Sequence, residues 1–191
     1  RRQAWAVDAG PRYHSSERPI HNARLLHELR AAMPDDAILV ADGGFAAHWS
    51  GLLFDVRVPG RTYIANRGHA AIGYGLPGAI GAKLAAPAKL VVALCGDNGF
   101  AMALAELETA RRVKAPVIAV IVNNQTLGYV KALQHSLYAD RFISVDFLDV
   151  DYAAVGRQFG CFGARVEDPD ELPRVLREAI ESGETAVVDV M

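Results

Sequence analysis

The sequence predicts an α/β protein, with a doubly wound, mainly parallel sheet covered by helices on both faces. Three observations carry the prediction. Apolar runs at 90–95 and 117–122 are continuous rather than alternating, the mark of strands buried on both sides, as parallel strands are. Segments with apolar residues at helical spacing stand between such runs, so strand and helix alternate along the chain. Polar or glycine-rich turns at Asp42, Gly96-Asp97-Asn98 and Asn123-Asn124 close three of the predicted strands, at the edge where sheets of this kind bind ligands.

The elements follow in order. Residues 1–19 hold Gly10, Pro11, Ser15, Ser16 and Pro19 with little periodicity and read as a linker or arm. Residues 20–191 read as one domain. Ile20, Ala23, Leu26, Leu29 and Met33 recur at helical spacing until Pro34 stops the run. A strand at 38–41 leads through Asp42-Gly43-Gly44 into a helix near 45–53. A strand at 62–65 precedes a small-residue helix at about 73–86. The strand at 90–95 leads into a helix of about 100–114, and the strand at 117–122 into a helix of about 127–136. A looser region reaches about 150. Helix 151–158, strand 161–166, helix 169–182 and strand 185–190 close the chain.

Composition excludes several functions. The 191 residues suffice for one sizeable core, 51% are hydrophobic, and the formal net charge is −2. No basic face is implied, so nucleic acid is not an expected partner. No apolar stretch approaches the ~20 residues of a membrane span, and the charged first thirty residues lack the apolar block of a signal peptide. Cys95 and Cys161 form no C-x-x-C pair, so neither zinc nor a disulfide framework is indicated, and a reducing, cytoplasmic setting is expected. The chain starts at Arg1 rather than Met, which suggests a fragment, a processed subunit or a trimmed chain.

The chemistry gathers at two turns. Asp97 and Asn124 offer hard oxygens at the ends of two strands expected to be neighbours. A carboxylate, an amide oxygen and a backbone carbonyl suit magnesium or calcium rather than zinc. Gly96 and Gly99 let the backbone approach a ligand, and free amides at a helix start favour an anion. A diphosphate held through a divalent cation fits both features. Taken singly, each turn is more simply a helix cap; their shared edge shifts the balance.

Gly96-Asp97-Asn98, followed 27 residues after Asp97 by the second asparagine of Asn123-Asn124, resembles the motif of thiamine-diphosphate enzymes, written GDG, about two dozen residues, then NN. RGHAAIGYGLPGAIG at 67–81 and NNQTLGYV at 123–130 are similar to stretches of acetolactate-synthase-like enzymes. The resemblance spans roughly 20–190 and identifies a C-terminal diphosphate-binding domain. It implies that Asp97, the Asn124 side chain and the Thr126 carbonyl ligate Mg2+. It places Gly96, Asn98, Gly99, Leu127, Gly128 and Tyr129 near the diphosphate of thiamine diphosphate, with Gly44 and Phe45. It makes Ile72 the bulky residue beneath the bent cofactor and the Ala70 carbonyl an acceptor for the aminopyrimidine amine.

Further implications concern the whole enzyme. The resemblance implies a lyase, carboligase or decarboxylase acting on a 2-oxo acid, assembled as at least a homodimer or a homotetramer. The activating glutamate belongs to a pyrimidine-binding domain of the same or another subunit, with no counterpart here, so no catalytic residue is assigned. Asn98 in place of the motif's glycine, Phe45-Ala46 in place of Gln-His, Leu133 in place of tryptophan and Ile72 in place of methionine put acetolactate synthase itself in doubt.

Two rival readings remain. Gly73-x-Gly75-x-x-Gly78 matches the dinucleotide fingerprint, with Asp97 as the ribose acid, and points to an NAD-binding oxidoreductase. The distance from the preceding strand disfavours it, and close helix-to-sheet packing explains the glycines better. A non-catalytic diphosphate-binding or oligomerisation module is the third. His69 borders the glycine segment as a residue that either faces substrate or is structural. Asp42 is read as shaping its own turn.

Overall fold

The computed structural model describes residues 2–191. The described residues contain strands β1 (Ile38–Ala41), β2 (Tyr63–Ala65), β3 (Val91–Gly96), β4 (Ile118–Val122), β5 (Phe162–Val166) and β6 (Ala186–Val190). They pair in parallel throughout, in the order β2-β1-β3-β4-β6-β5. The chain leaves β1 toward β2 and then returns to place β3 on the other side of β1. That reversal opens a crevice at the carboxyl ends of β1 and β3, between Asp42 and Asp97.

Alternation along each strand sends neighbouring residues to opposite faces. Leu39, Val92, Leu94, Val120 and Val188 face one layer, formed mainly by α2 (Asn22–Ala32), α3 (Phe45–Leu53) and α9 (Leu172–Glu181). Val40, Ala93, Cys95, Ala119, Ile121 and Val187 face the other. That layer consists of α4 (Gly75–Ala85), α5 (Asp97–Ala103), α6 (Glu106–Arg112) and α8 (Tyr152–Gln158). The predicted doubly wound architecture is therefore present, and all of its described strands are parallel. Helix α7 (Gly128–Tyr138) buries none of its residues and stands outside both layers.

Three stretches differ from the sequence reading. The linker or arm is helical, with α1 (Arg2–Ala9) followed by a 3-10 turn over Gly10–His14. Buried Ala9 and the Tyr13 ring, stacked 5.0 Å from His27 of α2, anchor it without any amphipathic period. The helix expected at about 100–114 starts at Asp97 and is split in two. Asp97 accepts the first-turn amide of Asn98 with its own carboxylate and so starts the helix early. The chain then tightens between α5 and α6, where Leu107 and Glu108 donate to carbonyls only three residues back, at Leu104 and Ala105. At 169–182 a 3-10 turn over Pro169–Glu171 precedes α9. The ends of the predicted domain meet, with the Ile20 N–H donating to the Met191 carbonyl at 2.8 Å.

Candidate functional site

Asp42, just past β1, is wholly buried. Its Oδ1 accepts the N–H groups of Gly43 (2.8 Å) and Tyr74 (3.0 Å), and its Oδ2 accepts that of Gly73 (3.0 Å). Asp42 thus shapes its own turn and fastens the start of α4 as well. Gly99 makes this possible, since a Cβ there would lie 2.2 Å from Asp42 Oδ2.

Asp97 differs from Asp42 in one respect. It is 4% exposed, and Oδ1 accepts the Asn98 N–H at 2.7 Å, but Oδ2 is buried without a hydrogen-bond partner. Burial raises its pKa above the usual carboxylate range, against the pull of the amides of Asn98, Gln125, Thr126 and Asn124. Those amides place the asparagine turn around this carboxylate. Gly96 pairs with Val122 across the sheet, so the two motif turns lie on adjacent strands, as expected.

The asparagine turn is held from several sides. Gln125 has φ +57°. The Thr126 carbonyl accepts the Gly128 N–H at 2.8 Å around Leu127 at φ −69°, ψ 72°, an inverse γ-turn. That carbonyl keeps a second lone pair for another ligand. Thr126 Oγ1 and the Leu127 N–H both donate to the Val145 carbonyl at 2.8 Å, and the Phe147 N–H donates to that of Gln125 at 2.8 Å. Asn124 is exposed; a Cβ on Gly128 would come within 3.2 Å of its Nδ2.

One cavity of about 500 Å³ lies over these turns, and every site residue named from the sequence lines it. Gly44 enters α3 at φ 68°, ψ −145°, a conformation that costs any other residue heavily. Ile72 reaches toward it, with Cγ2 4.0 Å from a Cβ placed on Gly44. Ala70 has φ +52°, and its carbonyl lies against the Cα of Gly43.

His48, Trp49, Arg67 and His69 line the cavity too. The His48 ring stacks on Tyr129 at 5.0 Å and 17°, while Phe45 meets Tyr129 edge-on at 5.4 Å. The i,i+3 spacing of Phe45 and His48 was the available signal for this wall; its partner Tyr129 lies too far along the chain to show. His48 also bonds the Gly44 carbonyl through Nδ1 at 2.7 Å.

The donor set fits a hard divalent cation bound with a diphosphate. One buried carboxylate oxygen is orphaned, with an amide and a backbone carbonyl on the facing turn. No group of three or more His, Cys, Asp or Glu among the described residues could hold a metal, so a cation here draws on amide, carbonyl and ligand oxygens. The dinucleotide reading fits less well. Nine residues separate the end of β2 from the start of α4, and Asp42 occupies amides that a pyrophosphate would need. A Cβ on Gly75 would lie 2.5 Å from Cys95 Sγ, so that glycine serves helix-to-sheet contact.

Comparison with known proteins agrees. Residues 42–190 match the family described as thiamine pyrophosphate enzyme, C-terminal TPP binding domain. Acetolactate synthase of Bacillus subtilis is 37% identical over 170 residues, covering 89% of this chain and 30% of that protein. A probable 2-ketoarginine decarboxylase of Pseudomonas aeruginosa is 33% identical, covering 91% and 31%. The solved thiamine diphosphate-dependent 4-hydroxybenzoylformate decarboxylase of Rhodococcus jostii superposes with TM-score 0.81 at 27% identity, over 88% of this chain and 32% of that one. The chain thus spans about 30% of the length of the curated relatives it matches. No helix among the described residues is long and apolar enough to cross a membrane. A cavity at the strand ends, a motif pair on neighbouring strands and a family match over 42–190 together make this chain a member of the thiamine-diphosphate-dependent enzymes, as their C-terminal cofactor-binding domain.

Proposed function

We propose that this domain holds the diphosphate of thiamine diphosphate through Mg2+, ligated by an Asp97 carboxylate oxygen, the Asn124 amide oxygen and the Thr126 carbonyl. The observation that carries the reading is the buried Oδ2 of Asp97, which makes no hydrogen bond, on the strand next to the one that leads into the asparagine turn. A lone carboxylate oxygen in that position is costly unless a cation takes it. Gly96, Asn98, Gly99, Leu127, Gly128 and Tyr129 flank the diphosphate, and Gly44 and Phe45 close the opposite wall. Ile72 supports the bent cofactor from below, with Ala70 beside the aminopyrimidine. The bound cofactor supplies carbanion-stabilising chemistry. The chain's own residues would fix its position and hold the cation that offsets its charge.

The whole enzyme is a lyase, carboligase or decarboxylase on a 2-oxo acid, supported by relatives named as an acetolactate synthase and decarboxylases of 2-ketoarginine and 4-hydroxybenzoylformate. A pyrimidine-binding domain supplies the activating glutamate, and the assembly is a homodimer or homotetramer. Calorimetric titration with thiamine diphosphate tests the metal site. The parent protein is expected to bind saturably only with a divalent cation, and Asp97→Ala to lose more than about ten-fold in affinity with its circular dichroism intact. Equal affinity in the variant rejects the assignment.

A further inference from the structure

The carboxyl edge of the sheet holds a second buried acid that the proposed metal site does not use. Register pairs Asp189 with Ile121, on the face covered by α5 and α8, and Asp97 and Asn123 directly follow the ends of β3 and β4. Asp189 is wholly buried, and its Oδ2 accepts the Tyr152 N–H at the start of α8 at 3.0 Å. Its Oδ1 makes no close hydrogen bond. Its neighbour across the strand pair, next to Val190, is Asn123, the residue directly before Asn124.

Asn123 is 3% exposed and bound to its surroundings at both ends. Its N–H donates to the Val190 carbonyl at 2.8 Å, and Nδ2 donates to the Val150 carbonyl at 3.0 Å. A primary amide carries a second N–H that Val150 does not take, and the nearby Asn123 amide favours the ionised form of Asp189. The other charges around Asp189 are less directly engaged. Arg165 of β5 lies 3.8 Å away but is held by Asp149 at 3.0 Å and by Glu167. Asp151 spends its side chain on the Ala154 N–H. Burial, helped by the charges of Asp97 and Asp189, pushes the Tyr152 hydroxyl up to about 12.

We propose that Asp189 is a positioning residue for the metal turn. It holds Asn123 from beneath the sheet edge, and so presents the Asn124 amide and the Thr126 carbonyl to the cation without touching it. The inference rests on the metal reading of Asp97 and Asn124. The cost of this charge supports it: burial pushes Asp189 up to about 6, so at neutral pH the fold keeps an ionised group that an uncharged residue of the same shape would replace more cheaply. A group retained at such a cost, beside a ligand turn, matches the outer partners that orient metal ligands.

Asp189→Asn in the full-length enzyme provides the test, with Mn2+ as the probe at saturating thiamine diphosphate and free Mn2+ read by electron paramagnetic resonance. The Mn2+ dissociation constant is expected to rise about ten-fold, while the melting midpoint of the metal-free protein does not fall and turnover at saturating Mn2+ is retained. Unchanged Mn2+ affinity overturns the proposal. A loss of affinity matched by a lower midpoint marks a merely structural role and overturns it equally. If Asp189→Asn does not fold, Asn123→Ala carries the test with the same expected rise, and unchanged affinity there is again fatal. Asp97→Ala, measured alongside, separates the two readings. Full loss in that variant with a silent Asp189→Asn removes only the positioning role; a silent Asp97→Ala removes both.

Discussion

At the residue scale, the difference between Asp42 and Asp97 is a matter of one oxygen. Asp42 gives both of its oxygens to backbone amides, whereas Asp97 keeps Oδ2 free. Gly99→Ala would drive a methyl into Asp42 Oδ2. It should destabilise the protein by about 1–3 kcal/mol in urea unfolding, and a neutral result would mean that Asp42 can retreat. Asp189 yields a prediction whose sign follows from its raised pKa. Its folded value of about 6 exceeds the 3.8 of the unfolded chain, so its charge opposes folding at neutral pH and the penalty fades as pH falls through 6 toward 4. Asp189→Asn should therefore stabilise the metal-free protein at pH 7.5 by up to about 3 kcal/mol and leave it nearly unchanged at pH 4. The opposite trend contradicts the buried charge. The Asp97–Asn124 pair is legible in the sequence because turn chemistry at strand ends is local. Asp42's bonds to Gly73 and Tyr74, and Asp189's place beside Asn123, are not legible, because they join strands and turns distant in the chain.

At the element scale, periodicity locates α2 and α9 because each lays an apolar stripe on the sheet. It misses the break between α5 and α6, where Phe100 and Leu107 stay on one buried face while the backbone bonding tightens between them. Phe100 is fully buried against Tyr152, and Phe100→Ala should cost about 3–5 kcal/mol in thermal or urea unfolding. Helix α7 is the contrasting case. It contributes no buried residue, and its first turn meets α3 through the stack of Tyr129 on His48 and the edge contact with Phe45. Such aromatic pairs are worth about 0.5–1.5 kcal/mol. Tyr129→Ala should therefore weaken thiamine diphosphate binding several-fold in titration, with a stability loss of no more than that size. A large stability loss with normal binding would place Tyr129 in the fold rather than the site.

At the scale of the whole molecule, the order β2-β1-β3-β4-β6-β5 puts the crevice between β1 and β3, and both motif turns open onto its rim. Continuous apolar strands and their alternation with helices make this layout legible in the sequence. Strand order is less legible, since β6 enters between β4 and β5 through contacts that no local pattern encodes. The dinucleotide fingerprint shows the reverse failure: its letters are present, yet Asp42 already holds the amides at the helix start. Titration with NAD should accordingly give no saturable signal.

The most direct measurement is anomalous diffraction from crystals of the protein grown with Mn2+ and thiamine diphosphate. The account predicts one strong peak about 2.1 Å from an Asp97 carboxylate oxygen, the Asn124 amide oxygen and the Thr126 carbonyl, with the diphosphate completing the shell. A peak elsewhere, or a diphosphate bound with Asp97 Oδ2 still unpartnered, would contradict it.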